Sequence, residues 1–322
     1  MSQEIVKRHL GKTDIQVTPI GFGAMEFAGG HSFFRFMFKP VEPETQNDVV
    51  KTALESGINL IDTAEIYGSG YSECAVSRSL QAAGKAPKDV IISTKWFPLL
   101  KRAKSIRKSA KKSTERLAPY PIDLYLVHMP LSISSVDSQM EVMANLVEDG
   151  VIRAVGVSNF SKERMIKAHD ALADRGLPLA ANQVNFSLLK RGIEFNGILE
   201  TAKELGVTIM AYTPLGQGVL TGRLHNNPEL LERMTRMRRR RIRGNLEKSK
   251  ALVETLEAIA SEHNATAAQV ALSWTINYHG ETVITIPGAS KPYQVEQNAG
   301  AMKLSLTSEQ METISAKSLE IR

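Results

Sequence analysis

The chain has 322 residues and a mass of 35.4 kDa, with 40 Lys and Arg against 34 Asp and Glu, a net charge of +6 and a pI near 9.3. A hydrophobic fraction of 43% beside 23% charged residues excludes a wholly disordered chain. A single cysteine, Cys74, excludes an internal disulfide framework.

The positive charge is local. Eight bases and one acid lie between Lys101 and Arg116, and seven arginines and no acid between Arg233 and Arg243; the remainder carries 25 bases against 33 acids. Nucleic acid and membrane are therefore not expected as partners. No stretch approaches the ~18–20 consecutive apolar residues of a membrane span, and the opening MSQEIVKRHLG lacks the apolar core of a secretory signal. A cytoplasmic protein is expected.

In chain order, IVKRHLGKTDIQV reads as a two-strand hairpin turning at Gly11–Lys12, packed outside the main fold. Strand-like runs follow at Thr18–Gly23, Ile58–Asp62, Val90–Lys95, Asp123–His128, Arg153–Ser158, Ala181–Phe186, Thr208–Thr213 and Thr282–Ile286. Several are near-continuous Val, Ile and Leu runs, as parallel strands covered on both faces require. Glu44–Ser56, Ser161–Leu172 and Ile193–Leu205 have helical spacing. Ser72, Ser161 and Thr266 carry helix-start chemistry, and Gly57, Gly84, Gly150, Gly176 and Gly206 fall where helices should end.

The strand starts are separated by 40, 32, 33, 30, 28, 27 and 74 residues. Near-constant βα units imply right-handed crossovers on a parallel sheet. Eight of them predict an α/β fold, a single (β/α)8 TIM barrel over residues 1–322. The long last interval predicts a loop over 214–244 and an extra helix at about 245–263. An open doubly wound sheet would carry G-x-G-x-x-G after its first strand; here Gly21-Phe22-Gly23-Ala24-Met25-Glu26 lacks the third glycine, and no P-loop occurs.

Barrel chemistry lies at the C-terminal strand ends. Those ends bring together Asp62, Lys95 and His128, with Tyr67 in the loop after the second strand. Each alone reads as a cap or a packing residue. Together they suit delivery of a proton to an oxygen on which charge develops. An ammonium beside the phenol is expected to lower its pKa, an Asp to hold the Lys, and a His to orient a carbonyl. A lysine at a strand end could instead form a Schiff base. Seven histidines with no i,i+3 or i,i+4 pair suggest no metal site.

The blocks GINLIDTAEIYGSGYSE (57–73), STKW (93–96), PIDLYLVHMP (121–130), GVIRAVGVSNFS (150–161), QVNFSLLKR (183–191), AYTPLGQGVLTGR (211–223) and IPGASKPYQVEQN (286–298) resemble the aldo-keto reductases over about residues 5–315. Their spacing is nearer the branch of potassium-channel β subunits and microbial reductases. The resemblance implies a carbonyl reductase working by direct hydride transfer, with Asp62, Tyr67, Lys95 and His128 as its catalytic tetrad. It also leaves room for a cofactor-sensing subunit with little turnover.

The same resemblance implies nicotinamide contacts at Ser158, Asn159, Gln183 and Tyr212, the last by ring stacking. It implies a pyrophosphate loop using Pro214, Leu215, Gln217, Gly218, Leu220, Gly222 and Arg223. At the adenosine end the chain departs from the family pattern, with Gln294, Gln297 and Asn298 where many members have Arg and then Glu-Asn. Lys291, with Ser290, could supply the missing charge, so NADPH is expected over NADH. Met25, Trp96, Phe97 and Met129, with Phe27 and the 224–243 segment, are candidate pocket walls for a small carbonyl substrate. The arginines at 236–243 are expected to contact anions, and the sequence does not indicate an oligomeric state.

Overall fold

The computed structural model describes residues 5–321, the side chains of Arg238 and Arg241 excepted. The hairpin β1 (Arg8–His9) and β2 (Gln16–Val17) precedes eight parallel strands. These are β3 (Phe22–Gly23), β4 (Leu60–Asp62), β5 (Ile91–Trp96), β6 (Ile122–Val127), β7 (Ile152–Ser158), β8 (Leu179–Asn185), β9 (Thr208–Tyr212) and β10 (Val283–Thr285). Each pairs with its sequence neighbour. The ring closes where Ile20 and Gly23 bridge to Thr285 and Gly288, with the Gly21 N–H donating to the Thr285 carbonyl at 2.8 Å.

Six helices follow the strands as the spacing predicts: α1 (Pro43–Glu55), α2 (Tyr71–Ala82), α3 (Ser105–Leu117), α4 (Val136–Glu148), α5 (Lys162–Ala173) and α6 (Ile198–Leu205). Ser161 caps α5 by accepting from the Arg164 N–H. Thr266 forms a capping box with Gln269 at the start of α9 (Ala267–Asn277). Ser72 does not cap: it lies inside α2, and its hydroxyl donates to the Ala24 carbonyl. The chain ends in α10 (Pro292–Gly300) and α11 (Ser308–Leu319).

The segment after β9 is more helical than expected. A short turn at Gly216–Thr221 and α7 (Arg223–Asn226) lead to α8, which begins at Arg236 and runs to Glu262. The arginines are good helix formers. Ile242, buried against Val219, Leu224 and Leu231, anchors this first turn to the fold. Arg239 and Arg243 pair with Glu232. The side chains of Arg238 and Arg241, within the run expected to meet anions, lie outside the described residues.

Strand parity sorts the core. Leu60, Ile91, Leu124, Leu126, Ala154, Ala181, Met210 and Ile284 point into the barrel, while Ile61, Ile92, Tyr125, Val155 and Ile209 face the helices. The hairpin is not an outside appendage. Leu10, Ile15 and Val17 are buried in the interior cluster and close the barrel floor. Gly11 permits this: its φ is +59°, and a Cβ there would lie 2.5 Å from the Ala180 carbonyl oxygen. Among the described residues, no helix is long and apolar enough to cross a membrane.

Candidate active site

The parity that fills the barrel with aliphatics also sets its uppermost layer. Two residues beyond Leu60 comes Asp62; beyond Leu126, His128; beyond Gly156, Ser158; beyond Ala181, Gln183; beyond Met210, Tyr212. Lys95 lies four beyond Ile91 on the same face of β5. All therefore project inward at the C-terminal end of the strands.

Lys95 is fully buried and Asp62 nearly so. The Lys95 ammonium donates to Asp62 Oδ2 at 2.5 Å and to the Thr63 carbonyl at 2.6 Å. Asp62 Oδ1 accepts from Ser93 at 2.8 Å and from the Gln183 amide at 3.0 Å. This carboxylate has the partners that a buried charge requires. Burial pulls the Lys95 pKa down, opposed by Asp62.

Tyr67 lies in the turn Tyr67–Gly70 between β4 and α2, its ring edge-on to His128 at 5.6 Å. Lys95 Nζ sits over the ring, 5.1 Å from its centroid. The sequence-based expectation of a lowered phenol pKa is overturned. Burial raises the Tyr67 pKa well above its usual value, and Asp62, Glu26 and Tyr212 add to the rise. Burial thus favours the neutral phenol, while the ammonium's hydrogen bond goes to Asp62. His128 is neutral, its pKa lowered to about 3 by burial first and Lys95 second, and its Nδ1 is buried without a partner.

Above this layer opens a cavity of about 980 Å³. Its wall includes Asp62, Tyr67 and His128, then Ser158, Asn159, Gln183, Tyr212, Pro214, Leu215, Gln217, Gly218 and Arg223, and further Ser290, Gln294, Gln297 and Asn298. Asn159 is fixed from three sides: its amide donates to Ser158 Oγ at 2.9 Å, its Oδ1 accepts from the Tyr212 hydroxyl at 2.9 Å, and its N–H donates to the Gln183 carbonyl. Asn159, Thr213 and Gln217 all have left-handed φ, +59°, +57° and +61°. For Thr213, which is β-branched, this is a strained state held by its surroundings.

Several expected residues do not reach the cavity. Trp96 follows Lys95 and so faces the helices; it is fully buried and its indole N–H donates to Ser105 at 3.1 Å. Leu220 is buried behind the wall, and Gly222 packs beside Glu257. Lys291 is exposed at the start of α10 and outside the lining; the cation at the wall there is Arg223, which donates to the Tyr293 hydroxyl at 2.7 Å. Lys95 lies beneath Asp62. Phe27 is fully buried, whereas Met25, Phe97 and Met129 do line the cavity.

The sequence reading missed Phe33, Phe34, Met37 and Phe38 on the wall; Arg233, Met234 and Met237 opposite belong to the 224–243 segment expected there. A signal existed: the first strand interval is the longest of the first six, and it contains the run SFFRFMF. Among the described residues, no group of three or more His, Cys, Asp or Glu could hold a metal ion.

Residues 19–319 match the family model described as the aldo/keto reductase family. The chain is 30% identical over 319 residues to a probable aldo-keto reductase 1 of Glycine max, covering 95% of this chain and 86% of that protein. It is 34% identical over 301 residues to an uncharacterised oxidoreductase of Mycobacterium tuberculosis, covering 93% and 88%. It is 31% identical over 308 residues to the chloroplastic pyridoxal reductase of Arabidopsis thaliana, covering 92% and 82%. The solved structure of the thermostable aldo-keto reductase Tm1743, in complex with the inhibitor epalrestat, superposes with a TM-score of 0.78 at 27% identity, covering 97% of this chain and 99% of that one.

Proposed function

The chain belongs to the aldo/keto reductase family and is an oxidoreductase, and from that premise we propose that it reduces aldehydes or ketones to alcohols with NADPH. The observation that carries this reading is the Tyr67 phenol set edge to face with the His128 imidazole, ring centroids 5.6 Å apart, on one cavity wall.

The residues present fit a nicotinamide dinucleotide. Asn159 and Gln183 offer amides and Ser158 a hydroxyl for a carboxamide. The half-buried Tyr212 ring lies on the wall beside them. Gly218, with φ +97° and open space where a Cβ would be, allows a pyrophosphate to approach the backbone closely. Arg223 supplies a cation for the pyrophosphate that NADH and NADPH share; the preference for NADPH rests on Lys291 and Ser290 at the start of α10.

When bound, the reduced cofactor would supply hydride to the carbonyl carbon. Tyr67 then delivers its hydroxyl proton to the carbonyl oxygen, and the raised pKa means that the proton is present throughout the neutral range. The neutral imidazole of His128 can orient the same oxygen by an N–H without bringing a second cation into the site. Lys95 and Asp62 compensate one another below the cavity and hold a polar floor under the phenol. A Schiff base on Lys95 would require the amine to leave Asp62 and the Thr63 carbonyl, so that reading has little support.

The test is NADPH oxidation against a panel of aldehydes and ketones, with Tyr67→Phe as the control. We expect turnover by the native chain and a loss of about 10²–10⁴-fold in the variant, with cofactor affinity retained. Undiminished turnover in Tyr67→Phe removes the assignment. Tight NADPH binding without turnover on any carbonyl would favour a sensing subunit.

A further inference from the structure

A series of aromatic rings leads outward from the catalytic phenol. Phe34 packs edge-on against Tyr67 at 5.5 Å, Phe33 lies 6.3 Å from Phe34, and Phe36 lies 6.3 Å from Phe33. The Arg35 guanidinium covers the outermost ring, 4.7 Å from its centroid. Phe33 and Phe36 are 56% and 52% exposed, so the series reaches solvent.

Facing it are the segment between α7 and α8, which contributes Leu230 and Met234 to the cavity wall, and the first turn of α8, which contributes Met237. The Thr235 hydroxyl donates to the Met37 carbonyl at 3.4 Å, tying the two segments together over the mouth. Within these two segments the polar lining residues are Ser32 and Arg233. The other polar lining groups come from the strand ends, from Glu26, which packs on Gly288, from Thr266, and from residues 212–224 and 286–298, the side assigned above to the cofactor.

A carbonyl oxygen held by Tyr67 and His128 must leave its substituent somewhere. Away from the cofactor side, what it meets is Phe34, then Phe33 and Met37 opposite Met237. Adaptable thioethers and aromatic faces gain from covering apolar surface. Two groups cannot replace the hydration of a polyol, and unpaired buried hydroxyls are costly.

Resting on the reductase reading above, we propose that the protein takes carbonyls bearing an extended apolar substituent, aromatic or long aliphatic, laid along Phe34 and Phe33 toward Met37 and Met237. Short aldehydes are poor substrates because they leave the series uncovered, and open-chain sugars because they cover it with hydroxyls.

The test is kcat/KM with saturating NADPH for straight-chain aldehydes from propanal to decanal, with 2-naphthaldehyde, glyceraldehyde and xylose alongside. We expect a rise of about two- to fourfold per methylene, carried by KM and levelling off once the series is covered, with 2-naphthaldehyde near the top and both sugars near propanal or below. Phe33→Ala and Met237→Ala, both at exposed positions that do not threaten folding, should each lower the decanal-to-propanal ratio at least about threefold. A flat series with measurable propanal turnover overturns the substrate class and leaves the reductase reading intact. An unchanged ratio in both variants removes the aromatic series as its cause. Absence of turnover on every carbonyl ends the reductase reading, and the substrate class with it.

Discussion

The two ends of this barrel solve opposite problems. At the floor, Leu10, Ile15 and Val17 are buried in one cluster with Leu60, Leu124 and Met210. Arg8 donates to the carbonyls of Ile276 at 2.5 Å and Val283 at 2.8 Å, satisfying groups at the end of α9 and the start of β10. At the mouth, the same eight strands end in an ion pair, a neutral imidazole with an unpartnered nitrogen and a phenol that burial keeps protonated. Six of the seven non-glycine residues with left-handed φ lie in loops that follow strand C-termini: Ser32, Ser69, Leu100, Asn159, Thr213 and Gln217. Strain and desolvated polarity are thus concentrated at the mouth, and the floor supplies the stability that tolerates them.

The comparison predicts a separation of effects. The largest belongs to Lys95→Met, which leaves the Asp62 carboxylate buried and unpaired; it should lower kcat by about 10²–10³-fold and cost about 3–5 kcal/mol of stability. Adding Asp62→Asn should restore much of the stability but none of the turnover, as read by denaturant unfolding beside NADPH oxidation. Recovery of both would mean that the pair is structural only.

At the floor, Leu10→Ala should cost about 2–5 kcal/mol and leave kcat/KM unchanged in the folded fraction. A catalytic defect that persists under fully folded conditions would show that the two ends are coupled. Acid should act through the mouth. His128 has a folded pKa of about 3, below its unfolded value of about 6.5, so the unfolded chain binds more protons between those values. Stability contributed by this group is therefore complete above pH ~6.5 and falls as pH is lowered, by at most about 1.4 kcal/mol per pH unit. His128→Asn should flatten that slope in urea titrations at pH 4–7; an unchanged slope would place the acid sensitivity elsewhere. The smallest effect is expected of Thr213→Gly, which relieves a left-handed β-branched residue. It should raise stability by about 1 kcal/mol while weakening NADPH binding, and a loss of stability would contradict the strain.

Much of this division was legible in the residues. Continuous aliphatic runs marked the parallel strands, and the type of residue ending each run marked Asp62, Lys95 and His128. Period-two alternation, applied strictly, would also have turned Trp96 toward α3 instead of the cavity, since Lys95 beside it points inward. Other features depended on three-dimensional partners. The Tyr67 pKa follows from its burial first and then from Asp62, Glu26 and Tyr212 around it, and spacing along the chain does not specify these. The ring series at residues 33–36 has neither strand nor helix period, so its apolar character had no face on which to be read. The helical start of α8 was hidden by its charge, because seven arginines resemble a solvated loop until Ile242 is seen packed on Val219.

The hairpin that seals the floor also joins the two ends of the polypeptide. Arg8 reaches acceptors 268 and 275 residues away, and the Gly21 N–H needs Thr285. During synthesis, Arg8 therefore lacks its acceptors, and Gly21 its closing partner, until α9 and β10 have emerged. Contacts of such separation form late and slowly. The chain's clasp is its latest event: a nascent polypeptide stopped before β10 would hold an unclosed sheet, a species prone to self-association.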